Sequence, residues 1–276
     1  MSHRHLRVVA LALLTWPFAG VAGPALIWSD DFNLPVGSAP DSARWVHDLG
    51  AGGWGNRELQ TYTASRENSV IVADPGALDG RALAIHARRA PDGGYTSARL
   101  KTEGKFSVTY GRIEARMKLT RGRGVWPAFW MLGANKPAVG WPACGEIDIM
   151  EQVGHEPGKL HGTLHGPGYS GAKGLNGHTT LLSGASLSDA YHVYAVDWSP
   201  GKISWSLDGT VYLTRTPADL PAGTRWVFDS PQYLLLNLAV GGHWPGSPDA
   251  TTVFPQTLLI DYVRVYGHVA APPVPN

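Results

Sequence analysis

With 276 residues, 16% charged and 43% hydrophobic, and with 34 glycines and 21 prolines, the chain is globular and turn-rich, which excludes an extended disordered chain or a coiled coil. A formal net charge of +1 provides no field that would favour nucleic acid or an acidic surface. A single cysteine, Cys144, excludes an internal disulfide and reads as a buried packing residue. The chain opens MSHRHLRVVALALLTWPFAGVAG, in which Arg4 and Arg7 precede an apolar run that ends in small residues. This is the pattern of a secretory signal over residues 1–22, with cleavage expected near Ala22–Gly23. The run is short for a membrane span, and no later stretch is apolar enough to cross a bilayer. Export, to the outside or to the periplasm, is the expectation, with no membrane attachment after the signal is removed.

Residues 23–268 read as strand after strand, with Gly, Pro, Asp and Asn turns between them. In YGRIEARMKLT, Arg112, Glu114, Arg116 and Lys118 fall on one face and Ile113, Ala115, Met117 and Leu119 on the other. In YHVYAVDWSPGKISWSLDGTVYL, turns at Pro200–Gly201 and Asp208–Gly209 separate three strands, and LLIDYVRVYG supplies a last one. Sustained helical periodicity is missing, so the expected class is an all-β antiparallel sandwich. The tail, GHVAAPPVPN, is Pro-rich, and residues 269–276 are expected to be disordered.

The densest chemistry lies in GEIDIMEQVG. Strand alternation sends Glu146 and Asp148 to one face, with Ile147 and Ile149 to the core, and would then bury Glu151 alone on the core side. A lone buried carboxylate is costly. A β-bulge at Met150 would add one residue and return Glu151 to the face of the other two acids. Three acids in a row suit a metal or acid/base chemistry. Calcium favours irregular loops with backbone carbonyls, which a stiff strand does not supply. Retaining glycoside hydrolysis needs a nucleophilic carboxylate and a carboxylic acid roughly 5–5.5 Å apart. A solvated acidic edge strand is the remaining reading.

EIDIME resembles the bulged E-x-D-x-x-E signature of glycoside hydrolase family 16. GGWGNRELQTYT, YTSARLKTEGKFSVTYGRIEARMKL, GVWPAFWMLG, HGTLHGPGYSG, WVFDSPQYLLLNLAVGG and DYVRVYG resemble the bacterial endo-β-1,3-glucanases (laminarinases) of that family, over about residues 26–267. The resemblance implies a β-jelly-roll with a cleft across a concave sheet. It implies Glu146 as nucleophile, Asp148 as assisting acid and Glu151 as general acid/base, with no cofactor for catalysis. Its expected substrate is β-1,3-glucan, cleaved internally by a monomeric enzyme. Mixed β-1,3/1,4-glucan, agarose or carrageenan would use the same machinery, and a non-catalytic glucan-binding protein is the alternative of another class. Arg57 departs from the laminarinase pattern, which commonly has a second Asn there.

Trp126 and Trp130, four apart in GVWPAFWML, share a strand face and could stack on sugar rings or pack in the core. Trp54 and Trp244 sit in Gly-rich loops of the kind that line binding sites. The resemblance places Asn56, Arg99 and Asn237 near sugar hydroxyls, although Arg99 could instead be an ion-pair partner. His161, Thr163 and His165 alternate on one face, from which His165 could reach the acids. No Cys or third His stands at ligand spacing to make the two histidines a metal site. Asp31 and Asp261, with the Gly80 carbonyl, resemble the structural Ca²⁺ site of family members; ordinary turn and strand acids are the alternative.

Overall fold

The computed structural model describes residues 23–268; the expected signal segment and Pro-rich tail lie outside the described residues. Seventeen strands follow one another, and the longest α-helix among the described residues is α1 (Lys136–Val139). The strands are β1 (Leu26–Asp30), β2 (Val46–Asp48), β3 (Gln60–Tyr62), β4 (Ser69–Ala73), β5 (Arg81–Arg89), β6 (Tyr95–Ser97), β7 (Arg99–Lys101), β8 (Gly111–Lys118) and β9 (Val125–Gly133). After α1 come β10 (Glu146–Glu151), β11 (Lys159–His165), β12 (Gly177–Thr180), β13 (His192–Ser199), β14 (Lys202–Leu207), β15 (Thr210–Arg215), β16 (Gln232–Val240) and β17 (Gln256–Tyr266).

They form two sheets. The larger runs β15-β14-β13-β8-β17-β5-β6-β3, with β1 on β17 and β4 on β5; the smaller runs β12-β11-β10-β9-β16-β7-β2. Pairing is antiparallel except between the short strands β3 and β6. The turns read at Pro200–Gly201 and Asp208–Gly209 separate β13, β14 and β15 as expected.

Alternation explains how the two sheets close on each other. Ile113, Ala115 and Met117 of β8 meet Ile147, Ile149 and Met150 of β10 in one apolar cluster that also holds Trp198 and Trp205. Each large side chain withdrawn from water contributes about 1.5–3 kcal/mol, so the interior stabilises the sandwich without a disulfide. The open face of the smaller sheet carries a second, smaller cluster of Leu132, Cys144, Tyr233 and Leu235, against which Trp130 packs. Cys144 is fully buried there, as expected. Among the described residues, no helix is long and apolar enough to cross a membrane.

Candidate active site

The bulge exists, and both neighbouring strands record it. On β9 the partners of Glu146, Asp148 and Glu151 are Leu132, Trp130 and Ala128; on β11 they are His165, Thr163 and His161. Each series steps by two, so all three acids share one face although Glu151 lies an odd distance from Asp148. Met150, the added residue, is fully buried opposite Phe129. The Asp148 carbonyl accepts a hydrogen bond from Trp205 Nε1 of the opposite sheet at 2.7 Å. Trp205 reaches it past Gly162, where an added Cβ would lie 2.5 Å from the indole. The glycine of HGTLH therefore makes room for the residue that pins the bulge. Trp205→Phe keeps an aromatic ring, though a smaller one, but strands that carbonyl, and is expected to cost about 1–3 kcal/mol. Denaturant unfolding checks this, and turnover should fall with it because the bulge aims Glu151.

The surroundings of the three acids differ. Glu146 lies nearest the rim, its side chain 17% exposed; Trp141 Nε1 donates to its Oε2 at 2.8 Å, and His165 Nε2 stands 3.8 Å from its Oε1. Asp148 lies deeper, 3.2 Å from His165 Nε2. Glu151 accepts from Trp126 Nε1 at 3.2 Å and from the Thr163 hydroxyl at 3.1 Å, and Asn176 Nδ2 donates to that hydroxyl at 2.9 Å. Burial pushes Glu146 up to about 7, helped by the Asp148 charge and opposed by His165, the Trp141 N–H and Arg99. Burial alone pushes Asp148 up to about 8. Burial first, then the Asp148 charge, raises Glu151 well above the carboxylate range. Desolvation thus exceeds like-charge repulsion as the cause, the reverse of what the acidic row suggests in sequence.

These shifts set a stability expectation. Folded-state values raised above the ordinary 4.5 of Glu146 and 3.8 of Asp148 mean that the fold favours the protonated acids. Their contribution is fully present below those ordinary values and is lost as pH rises toward about 7 and 8. Asp148→Asn should therefore be more stable than wild type at pH 8, by on the order of 1–3 kcal/mol, and equal to it in acid. Unfolding at both pH values measures it.

Trp126 and Trp130 do lie on the cleft face, both half-buried. Trp126 meets Trp244 edge-on at 5.4 Å, and Trp244 meets His161 at 4.9 Å. Trp130 is held more firmly: its Nε1 donates to Asn237 Oδ1 at 2.7 Å, and the Arg99 guanidinium lies 4.7 Å from its ring centre and 5.0 Å from that of Trp54. Arg99 is an ion-pair partner as well, 3.0 Å from Asp48. Asn237 is buried, with its amide spent on Trp130 and on the Tyr62 hydroxyl, so it positions the cleft wall instead of offering its amide to sugar hydroxyls. Asn56 Nδ2 donates to Glu58 Oε1 at 3.0 Å, and Glu58 Oε2 accepts from Gln60 and Tyr62. Arg57 is exposed with φ of 56°, in the left-handed region that Asn tolerates better than Arg.

The proposed calcium ligands are not assembled as a set. Asp31 Oδ1 accepts from Arg264 Nη2 at 2.7 Å. Asp261 is buried with Arg116 at 2.5 Å on one oxygen and the Leu78 N–H at 3.1 Å on the other. The Gly80 carbonyl accepts from the Asp74 N–H. Two carboxylates already matched by guanidinium groups do not fit a shared hard cation, which would need those oxygens free.

The family model described as glycosyl hydrolases family 16 matches residues 58–264. The chain belongs to this family. Among its relatives, a β-glucanase of Rhodothermus marinus is 43% identical, over 88% of this chain and 85% of its own. The solved endo-β-1,3-glucanase of Pyrococcus furiosus is 49% identical with a TM-score of 0.80, covering 89% of this chain and 95% of that one. The catalytic domain of an endo-1,3-β-glucanase (laminarinase) from Thermotoga petrophila is 44% identical with a TM-score of 0.79, covering 88% and 97%. Within the family 16 site, sequence reasoning missed Trp141, Asn176 and Trp205. Trp141 was legible only in GWPACGE, just ahead of the acids; the other two reach the site from distant strands and loops.

Proposed function

We infer that the protein is a retaining endo-β-1,3-glucanase that hydrolyses internal bonds of laminarin-type glucans. The observation that carries this is the bulged strand β10, which puts two glutamates in unequal surroundings on either side of Asp148. Glu146, nearest the rim and with the Trp141 N–H on Oε2, ionises before the more strongly perturbed Glu151. Two acids whose surroundings push them apart are an acid/base assignment. The Glu146 carboxylate attacks the anomeric carbon as Glu151 delivers its proton to the departing oxygen. Glu151, now a carboxylate, takes a proton from water, and the resulting hydroxide breaks the glycosyl–Glu146 ester. Asp148, pushed up to about 8, stays protonated at neutral pH and spares the site a second negative charge beside Glu146 while Glu151 still holds its proton.

Relatives that act on β-1,3-glucan support the substrate, and the row of Trp130, Trp126 and Trp244 supports the grip on several sugar rings that internal cleavage needs. A non-catalytic glucan-binding role is disfavoured because both glutamates are present and aligned. The signal-like pattern at residues 1–22 supports export of the enzyme. Proton NMR of laminarin digestion tests the reaction. New reducing ends should appear first as the β-anomer, with chain length falling before glucose accumulates. An initial α-anomer would exclude double displacement, and glucose as the sole early product would exclude endo action. Lichenan, carboxymethylcellulose and agarose alongside laminarin fix the linkage.

A further inference from the structure

Among the described residues, one group of acidic and imidazole donors lies close enough to share an ion: Glu146, Asp148 and His165, with a ligand atom from each within 4.8 Å of the others. His165 Nε2 stands 3.2 Å from Asp148 Oδ2 and 3.8 Å from Glu146 Oε1. Zinc bonds of about 2.0–2.2 Å place tetrahedral ligands about 3.3–3.6 Å apart, so the two separations from His165 Nε2 sit near the edge lengths of a zinc tetrahedron. Asp148 supplies an independent sign: it is 4% exposed, and its Oδ2 has no hydrogen-bond partner. His165 Nε2 is close to it but is not aligned for a hydrogen bond; a buried carboxylate oxygen without a well-made hydrogen bond is costly, and a cation between the two would satisfy it. On Glu146, Trp141 holds Oε2 and leaves Oε1 on the His165 side.

We propose that Glu146, Asp148 and His165 form an inhibitory binding site for zinc and like borderline divalent metals. One imidazole and two carboxylates make the mixed N/O set that zinc accepts, whereas calcium asks for six to eight oxygens; Asp148 would give up its proton to solvent as the metal enters. Water from the cleft would complete the shell. Zinc held there ties up the Glu146 carboxylate and occupies the floor of the cleft, so metal and glucan exclude each other. The site goes beyond the glucanase reading, because binding can be followed without substrate.

Calorimetric titration of the purified full chain with zinc chloride, in a buffer that does not coordinate metal, tests it. One zinc per chain is expected. His165→Gln and Glu146→Gln should each weaken binding at least tenfold, the loss that follows when a metal site's support is removed. Cys144→Ser should bind as wild type does, since the buried thiol is not a ligand. Substituting cobalt should give the visible absorption of a four-coordinate ion, displaced by laminari-oligosaccharide. Melting curves establish that each variant is folded; if His165→Gln is not, Glu146→Gln decides. Absence of binding below millimolar zinc, unchanged binding in both folded variants, or loss of binding in Cys144→Ser would each overturn the proposal. Failure of laminarin hydrolysis with zinc binding intact would instead count against the glucanase reading alone.

Discussion

Glu146→Gln lowers turnover on laminarin by about 10⁴-fold or more, as loss of a catalytic nucleophile does, while the protein becomes more stable at neutral pH. The two effects run in opposite directions for physical reasons. Gln keeps the shape of Glu and an oxygen for the Trp141 N–H, which lies 2.8 Å from Glu146 Oε2. It removes a charge whose burial raises the native carboxyl to about 7. The amide cannot form the glycosyl ester, so chemistry stops although the cleft still binds glucan. A variant that is inactive because it unfolds would melt earlier, not later. Steady-state turnover with a melting curve at pH 7 separates the outcomes, and residual activity within tenfold of wild type would place the nucleophile elsewhere.

The parts legible in the sequence were those governed by alternation. Ile147 and Ile149 against Glu146 and Asp148, and Ile113, Ala115 and Met117 against the charged row of β8, declare their faces without any partner strand. The odd step from Asp148 to Glu151 conflicts with that alternation, and a conflict of this kind is itself a signal: the cost of one buried acid predicts the bulge. What alternation cannot reveal is which side chains from other strands arrive at a given spot. Trp205 lies 57 residues from the carbonyl it caps, and Asn237 lies 107 from the Trp130 it holds. The guanidinium partners of the calcium candidates were hidden for the same reason. Arg116 was visible on the outward row of β8, but its register beside β17, opposite Tyr262, is a tertiary fact. That register puts a guanidinium against Asp261, where the sequence showed only an acid at a strand start.

Glu151→Ala should be nearly silent on laminarin and be revived by azide on an activated substrate. Removing the general acid/base withdraws a contribution of about 10²–10⁴-fold, because the poor leaving oxygen of a glucan departs only when protonated. An aryl β-glucoside of a laminari-oligosaccharide needs no such proton, so Glu146 is still glycosylated. The ester then persists, because no base activates water. The alanine leaves a space walled by two donors that formerly served the carboxylate, the Trp126 indole N–H and the Thr163 hydroxyl. Asn176 keeps that hydroxyl in place from behind. A small anion therefore finds both room and hydrogen bonds beside the anomeric carbon, and azide needs no base to attack. It should restore turnover by about tenfold or more, a fraction of what the missing base supplied, and the product should be the β-glycosyl azide. Two inversions, one at Glu146 and one by azide, give that configuration. An α-azide would mean a single inversion and a nucleophile other than Glu146. Rescue that requires Thr163 as well, and is lost in Glu151→Ala with Thr163→Val, would show that the hydroxyl holds the anion as it holds the native carboxylate.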